Sequence, residues 1–171
     1  KNFAIILDLS VVFSAWALLK TTLPIKWDGK KPARVGVIPK GGRADEIRWF
    51  DVAPCYAYHT MNAYETERGG VVLDVSRYER ASEKDMYGPL GDTEATIERW
   101  VLPMSGNATE AREERIFDLP LDFPKIAASV EGRAYRHGYA VEATLDPSFD
   151  RAVKLDFTTG DVQYQAFDGG M

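Results

Sequence analysis

Short runs in which apolar and polar residues alternate recur along the 171-residue chain, and they predict strands. The runs are ARVGVIP (33–39), EIRWFDV (46–52), CYAYH (55–59), VVLDVSRY (71–78), TIERWVL (96–102), REERIFDL (112–119), RAYRHGYAVEAT (133–144) and AVKLDFTTGDVQYQAF (152–167). They are rich in Val, Ile, Tyr, Phe and Trp, the side chains that suit a pleated, half-buried surface. Gly, Pro, Asn and Asp punctuate them, with NAYETERGG (62–70) reading as a loop and PMSGN (103–107) as a turn. No segment keeps a 3.6-residue period long enough for a helix. The polar stretch ASEKDMYGPLGDTEAT (81–96) reads as a loop with one helical turn at most.

The opening run FAIILDLSVVFSAWALL (3–19) is apolar enough to raise the question of a signal peptide or a membrane span. Asp8 interrupts it, no small-x-small cleavage site follows, and a span needs about 20 apolar residues. The run therefore predicts two buried strands bent at Asp8-Leu9-Ser10. Further on, IERWVLPMSGNATEAREERIFDL and AVKLDFTTGDVQYQAFD share a plan of strand, Ser/Thr-Gly turn and polar-alternating strand. Their turn glycines, Gly106 and Gly160, are 160 − 106 = 54 residues apart. That is near the roughly 40–50-residue period of propeller blades, although two similar hairpins of a sandwich would give the same pattern.

Composition narrows the function classes. Hydrophobic residues make up 45% and charged residues 27%, values of one ordinary globular domain. A net charge of −5, with Lys and Arg dispersed, excludes the concentrated basic patch of a nucleic-acid binder. The single cysteine, Cys55, rules out an internal disulfide and fits a reducing, cytoplasmic setting. A hydrolase would need a nucleophile beside a base, and Ser76, Ser82, Ser105 and Cys55 carry no such signature. Two histidines remain, His59 and His137. His59 ends an apolar strand, where an imidazole is either packed or held stiffly enough to ligate a metal.

Six motifs occur in one order: RVGVIPKGG, IRWFDVAPCYAYHTMNAYE, VVLDVSRY, LDFPKI, GRAYRHGYA and KLDFTTG. In this the chain resembles the carotenoid cleavage oxygenases, a family that includes retinoid isomerases and lignostilbene-cleaving enzymes. The resemblance implies an all-β fold, a seven-bladed β-propeller of which residues 1–171 form the middle blades of a partial domain. It implies a non-haem Fe(II) on the propeller axis held by four histidines. The reaction it implies is oxidative cleavage by O₂ of a conjugated C=C bond in a carotenoid, apocarotenoid or stilbene-like substrate. Its implied partners are that apolar polyene or stilbene and O₂, with no nucleic acid, and with peripheral membrane contact in the parent protein. A plastid location would follow if the source is a photosynthetic eukaryote.

The resemblance also assigns residues. His59 falls on the histidine of an FHPxNAYE-like motif, an iron ligand, and Asn62–Glu65 on a structural loop beside it. Asp122 falls on the Glu of an EFPRI-like motif, which orients an iron-binding histidine, and is one methylene shorter than that Glu. His137 falls on no metal position, and Gly132 and Gly138 are expected to flank a tight, close-packed strand. Lys1 falls on a ligand histidine of an HDFAI-like motif, and a protonated ammonium has no lone pair to give. The remaining two histidines of the family would lie before Lys1 and after Met171, so the chain by itself is expected to bind Fe(II) weakly and to be inactive. An alternative follows from Lys1: a propeller that has lost its metal and keeps a binding or scaffold role. No basic amphipathic helix or long apolar patch marks a membrane contact in the sequence.

Overall fold

The computed structural model describes residues 2–19, 24–82, 93–145 and 149–167. In chain order the strands are β1 (Phe3–Asp8), β2 (Val11–Phe13), β3 (Ile25–Trp27), β4 (Ala33–Pro39), β5 (Arg48–Val52), β6 (Tyr56–Glu65), β7 (Val71–Tyr78), β8 (Ala95–Leu102), β9 (Arg112–Phe117), β10 (Leu121–Lys125), β11 (His137–Glu142), β12 (Arg151–Asp156) and β13 (Val162–Ala166). All pairings between them are antiparallel. They form a three-stranded sheet β1-β4-β5, a small β2-β3 ribbon, and two four-stranded sheets, β6-β7-β8-β9 and β10-β11-β12-β13. Each four-stranded sheet is an up-and-down meander, the build of a propeller blade.

Two apolar cores lie between successive sheets. Val35, Val37 and Phe50 of the first sheet meet Val71, Leu73, Val75 and Trp100 of the second. Met61, Ile97 and Phe117 of the second meet Leu121, Ala140, Val153 and Leu155 of the third. β7 is the hinge of this arrangement, because it is buried on both faces. With period-2 alternation, Val71, Leu73 and Val75 point to the first core while Asp74, Ser76 and Tyr78 point to the third sheet. This is a segment of a β-propeller, and the glycine repeat reports it. Gly106 and Gly160 have φ of 68° and 78°, and both lie between the third and fourth strands of their blades. A left-handed backbone there is where glycine carries no steric penalty.

The structure departs from the sequence expectations at several places. The apolar run does bend at Leu9-Ser10, but its second half is not a buried strand. β2 has three residues and pairs only with β3, and a 3₁₀ turn at Ala15–Leu19 follows. Phe13, Trp16, Leu18 and Leu19 are left on the surface, Trp16 at 79% exposure. Asn62–Glu65 is strand, not loop, because β6 continues through two bulges to Glu65. The turn proper is 66–70, closed by Thr66 N–H donating to the Gly70 carbonyl at 2.8 Å. The run 133–144 is strand only from His137, since Gly132 sits in a turn at φ 70°. Gly138 is the close-packed one, where an added Cβ would lie 2.8 Å from both Met61 Sδ and Phe157 Cε2. Lys1 and most of the polar stretch, residues 83–92, lie outside the described residues.

Candidate metal centre

His59 and Asp122 are 63 positions apart, on different blades, and the fold brings them together. His59 pairs across the ladder with Ser76, and the β6–β7 register shifts on both sides of it. Such bulges bend a strand and re-aim its side chains. Asp122 opens the third blade, where the β10–β11 register shifts between Asp122 and Lys125. Phe123 adopts φ 52° at that irregularity, a conformation costly for a bulky side chain. The result is a contact of 3.0 Å between His59 Nδ1 and Asp122 Oδ1. Asp122 is fully buried, while the His59 side chain is 38% exposed.

The second carboxylate oxygen is also engaged. Tyr78 donates its phenol hydrogen to Asp122 Oδ2 at 2.7 Å. Burial, and then the Asp122 charge, raise the Tyr78 phenol well above its ordinary range, so it remains a donor at neutral pH. A carboxylate oxygen accepts here from the Nδ1–H tautomer of His59, and in that tautomer Nε2 keeps its lone pair. A histidine whose Nδ1–H is held by a carboxylate is the usual form of a metal-ligating imidazole. The Phe123 ring lies 4.8 Å from the imidazole and 5.6 Å from the Phe149 ring, so an apolar wall stands beside His59. Ser76 Oγ, across the ladder from His59, is buried without a hydrogen-bond partner.

The donor chemistry fits one position of an Fe(II) site, because imidazole nitrogen suits that ion. It does not make a complete site. Among the described residues no group of three or more His, Cys, Asp and Glu side chains could hold a metal ion. His137 stands elsewhere, on β11, with Nε2 3.5 Å from Asp156 Oδ2. Arg136 holds the same oxygen at 2.8 Å. Cys55 is buried in the first core, and desolvation pushes its thiol up to about 12, which makes it inert as a nucleophile.

A second polar cluster holds the two blades in register. Arg99 donates to both oxygens of the buried Asp74, at 2.8 and 3.0 Å, and Tyr135 donates to Asp74 Oδ2 at 2.7 Å. Asn62 accepts from Gly132 N–H at 3.1 Å and donates to the Arg133 carbonyl at 3.0 Å. The segment between β10 and β11 is thereby latched onto β6 and β7. The sequence reading missed Tyr78, although it is the last same-face residue of VVLDVSRY, and Phe123, although it adjoins Asp122. Nothing in a Phe side chain signals a positive φ.

Similarity to known proteins gives the family and the fold. Residues 1–170 match the profile of the family described as Retinal pigment epithelial membrane protein. The chain belongs to this family, that of the carotenoid cleavage oxygenases. It is 40% identical over 124 residues to a carotenoid cleavage oxygenase of Mycobacterium tuberculosis, covering 70% of this chain and 24% of that protein. It is 30% identical over 156 residues to lignostilbene-alpha,beta-dioxygenase isozyme III of Sphingomonas paucimobilis, covering 85% of this chain and 30% of the other. In fold it is similar to the crystal structure of Pseudomonas brassicacearum lignostilbene dioxygenase, with a TM-score of 0.79 at 18% identity, over 97% of this chain and 38% of that one. Cobalt-substituted Synechocystis ACO gives a TM-score of 0.78 at 20% identity, over 97% of this chain and 36% of that one. The chain thus spans less than a third of the length of these two curated relatives.

Proposed function

We propose that this chain is part of a non-haem Fe(II) dioxygenase that cleaves a conjugated C=C bond of a carotenoid, apocarotenoid or stilbene-like substrate with O₂, and that His59 Nε2 is one of its iron ligands. The observation that carries this reading is the buried carboxylate on His59 Nδ1 at 3.0 Å, which leaves the other ring nitrogen to donate. Iron, when bound, would supply the binding and activation of O₂. The chain's own part is positional. β6 brings the imidazole to the edge of the second blade, Asp122 holds its Nδ1 hydrogen, and Phe123 and Phe149 place an apolar surface beside it. A flat apolar polyene or stilbene matches such a wall.

The same reading includes contact with a membrane, from which an apolar substrate would be drawn. Its support is the ribbon-and-turn segment that leaves Phe13, Trp16, Leu18 and Leu19 exposed. No helix among the described residues is long and apolar enough to cross a membrane, so the contact would be peripheral.

The test is His59→Ala in the whole protein, with iron content and loss of the substrate's conjugated absorbance measured on one sample. We expect iron and cleavage to be lost together. Stability should fall by about 1–3 kcal/mol, the cost of leaving Asp122 short of one partner. Full iron occupancy and full activity in the variant would remove His59 from the metal site. Wild-type protein that takes up no iron under anaerobic loading would turn the reading toward a metal-free scaffold.

A further inference from the structure

Asp122 is engaged at both oxygens, and only one of them faces the imidazole. Tyr78, on β7, closes the other side at 2.7 Å, from a position 2% exposed. A lone Asp–His contact leaves the carboxylate free to turn about its terminal torsion, which is broad and roughly two-fold. It can then offer either oxygen, or neither, to the ring. With Oδ2 fixed by a buried phenol, Oδ1 has one direction left, and that direction is His59 Nδ1. The phenol is confined by packing, since Tyr78 is buried and stands edge-on against Tyr58 at 5.3 Å within the same sheet.

We infer that Tyr78 is a positioning residue for the metal-ligating imidazole: through Asp122 it fixes His59 as the Nδ1–H tautomer and aims Nε2 into the site. This rests on the reading of His59 as an iron ligand. It adds a member from a third strand, so that β6, β7 and β10 each contribute one residue to a His59–Asp122–Tyr78 chain spanning two blades. The neighbouring cluster supplies an internal control. Tyr135 donates to buried Asp74 at the same 2.7 Å but has no contact with His59 or Asp122 among its hydrogen bonds.

The experiment uses the whole protein, labelled with ¹⁵N-histidine and stripped of metal. Two-bond ¹H–¹⁵N correlation distinguishes the Nδ1–H from the Nε2–H tautomer, and His59 is assigned by its absence in His59→Ala. Anaerobic Fe(II) titration is run on the same samples. The wild type should show His59 as Nδ1–H. Tyr78→Phe should populate the other tautomer and weaken iron binding about tenfold, the low end of losses for groups that orient ligands. In an Asp122→Ala background Tyr78→Phe should change neither readout further, since its effect passes through Asp122. Tyr135→Phe should lose a comparable hydrogen bond yet move neither readout. Unchanged tautomer and affinity in Tyr78→Phe, or an equal change in Tyr135→Phe, would overturn the inference. An Nε2–H tautomer in the wild type would also overturn it, whether or not Tyr78→Phe folds. Iron retained by His59→Ala would sink the ligand reading alone, and the tautomer measurement would still decide the role of Tyr78.

Discussion

At the scale of single residues, the centre turns on the length of one side chain. The resemblance puts an aspartate where relatives are expected to carry a glutamate, and on sequence grounds the longer acid should fit as well. The structure argues otherwise. Asp122 is fully buried and meets His59 at 3.0 Å and Tyr78 at 2.7 Å, so neither contact has slack for an added methylene. The backbone beside it is already constrained, with Phe123 at φ 52°. Asp122→Glu is therefore expected to destabilise by about 1–3 kcal/mol, the usual cost of forcing a methylene into a packed site. A denaturant titration of the whole protein reads this as a lowered midpoint at unchanged slope. A midpoint equal to or above that of the wild type would mean that the blades can separate enough to take the longer acid.

At the scale of elements, the centre depends on how the second and third blades are latched. The β10–β11 segment is held by Asn62, and by the Asp74 carboxylate shared between Arg99 and Tyr135. Burial of an ion pair is costly by itself, but breaking one half of it is worse. Arg99→Leu leaves the Asp74 charge buried with Tyr135 alone, and a loss of about 3–5 kcal/mol is expected, read as thermal or denaturant stability. Arg99→Leu with Asp74→Leu should recover much of that loss; a double variant as unstable as the single one would contradict the account. This latch also explains what the sequence could and could not reveal. β4 and β7 were legible to the residue, because 33–39 lies between Pro32 and Gly41-Gly42 and 71–78 starts directly after Gly69-Gly70, both with a strand pattern. β6 was not, because Asn62 and Glu65 look like turn residues but are spoken for by distant partners. Asn62 binds the 132–133 backbone, and Glu65 accepts from Asn2 N–H at 2.6 Å. β10 contains Pro124 and a positive φ, both signs against a strand. Local pattern is silent on such pairings. His59 and Asp122 were found through the motifs that carry them, and Tyr78 lies in another of those motifs with no individual role attached.

At the scale of the whole molecule, cohesion comes from faces buried between blades, and those faces carry ionisable groups held in their neutral form. Tyr78 and Tyr135 bridge the second and third sheets, and burial first, then the adjacent Asp122 or Asp74 charge, raises both phenols. Desolvation raises Tyr56 and Tyr64 as well, and takes the Cys55 thiol from 9.0 to about 12. The sign of the pH effect follows. Each group has a folded value above its unfolded one, and the charged form is the deprotonated one. Below the unfolded values, 9.0 for the thiol and 10.0 for the phenols, both states hold their protons and stability is unaffected. Above them the unfolded chain releases protons that the folded chain keeps, so stability falls as pH rises. Each fully engaged group contributes a slope of up to about 1.4 kcal/mol per pH unit. Denaturant midpoints should therefore be level from pH 7 to 9 and drop steeply between pH 10 and 11.5. Tyr135→Phe removes one titrating phenol without touching the His59 centre. It should begin from a lower stability at pH 7, having lost a hydrogen bond to a carboxylate, and then decline less steeply in alkali. A wild-type midpoint that stays level to pH 11 would show that the phenols reach water without unfolding, and the blades would then not be closed over them as the structure has it.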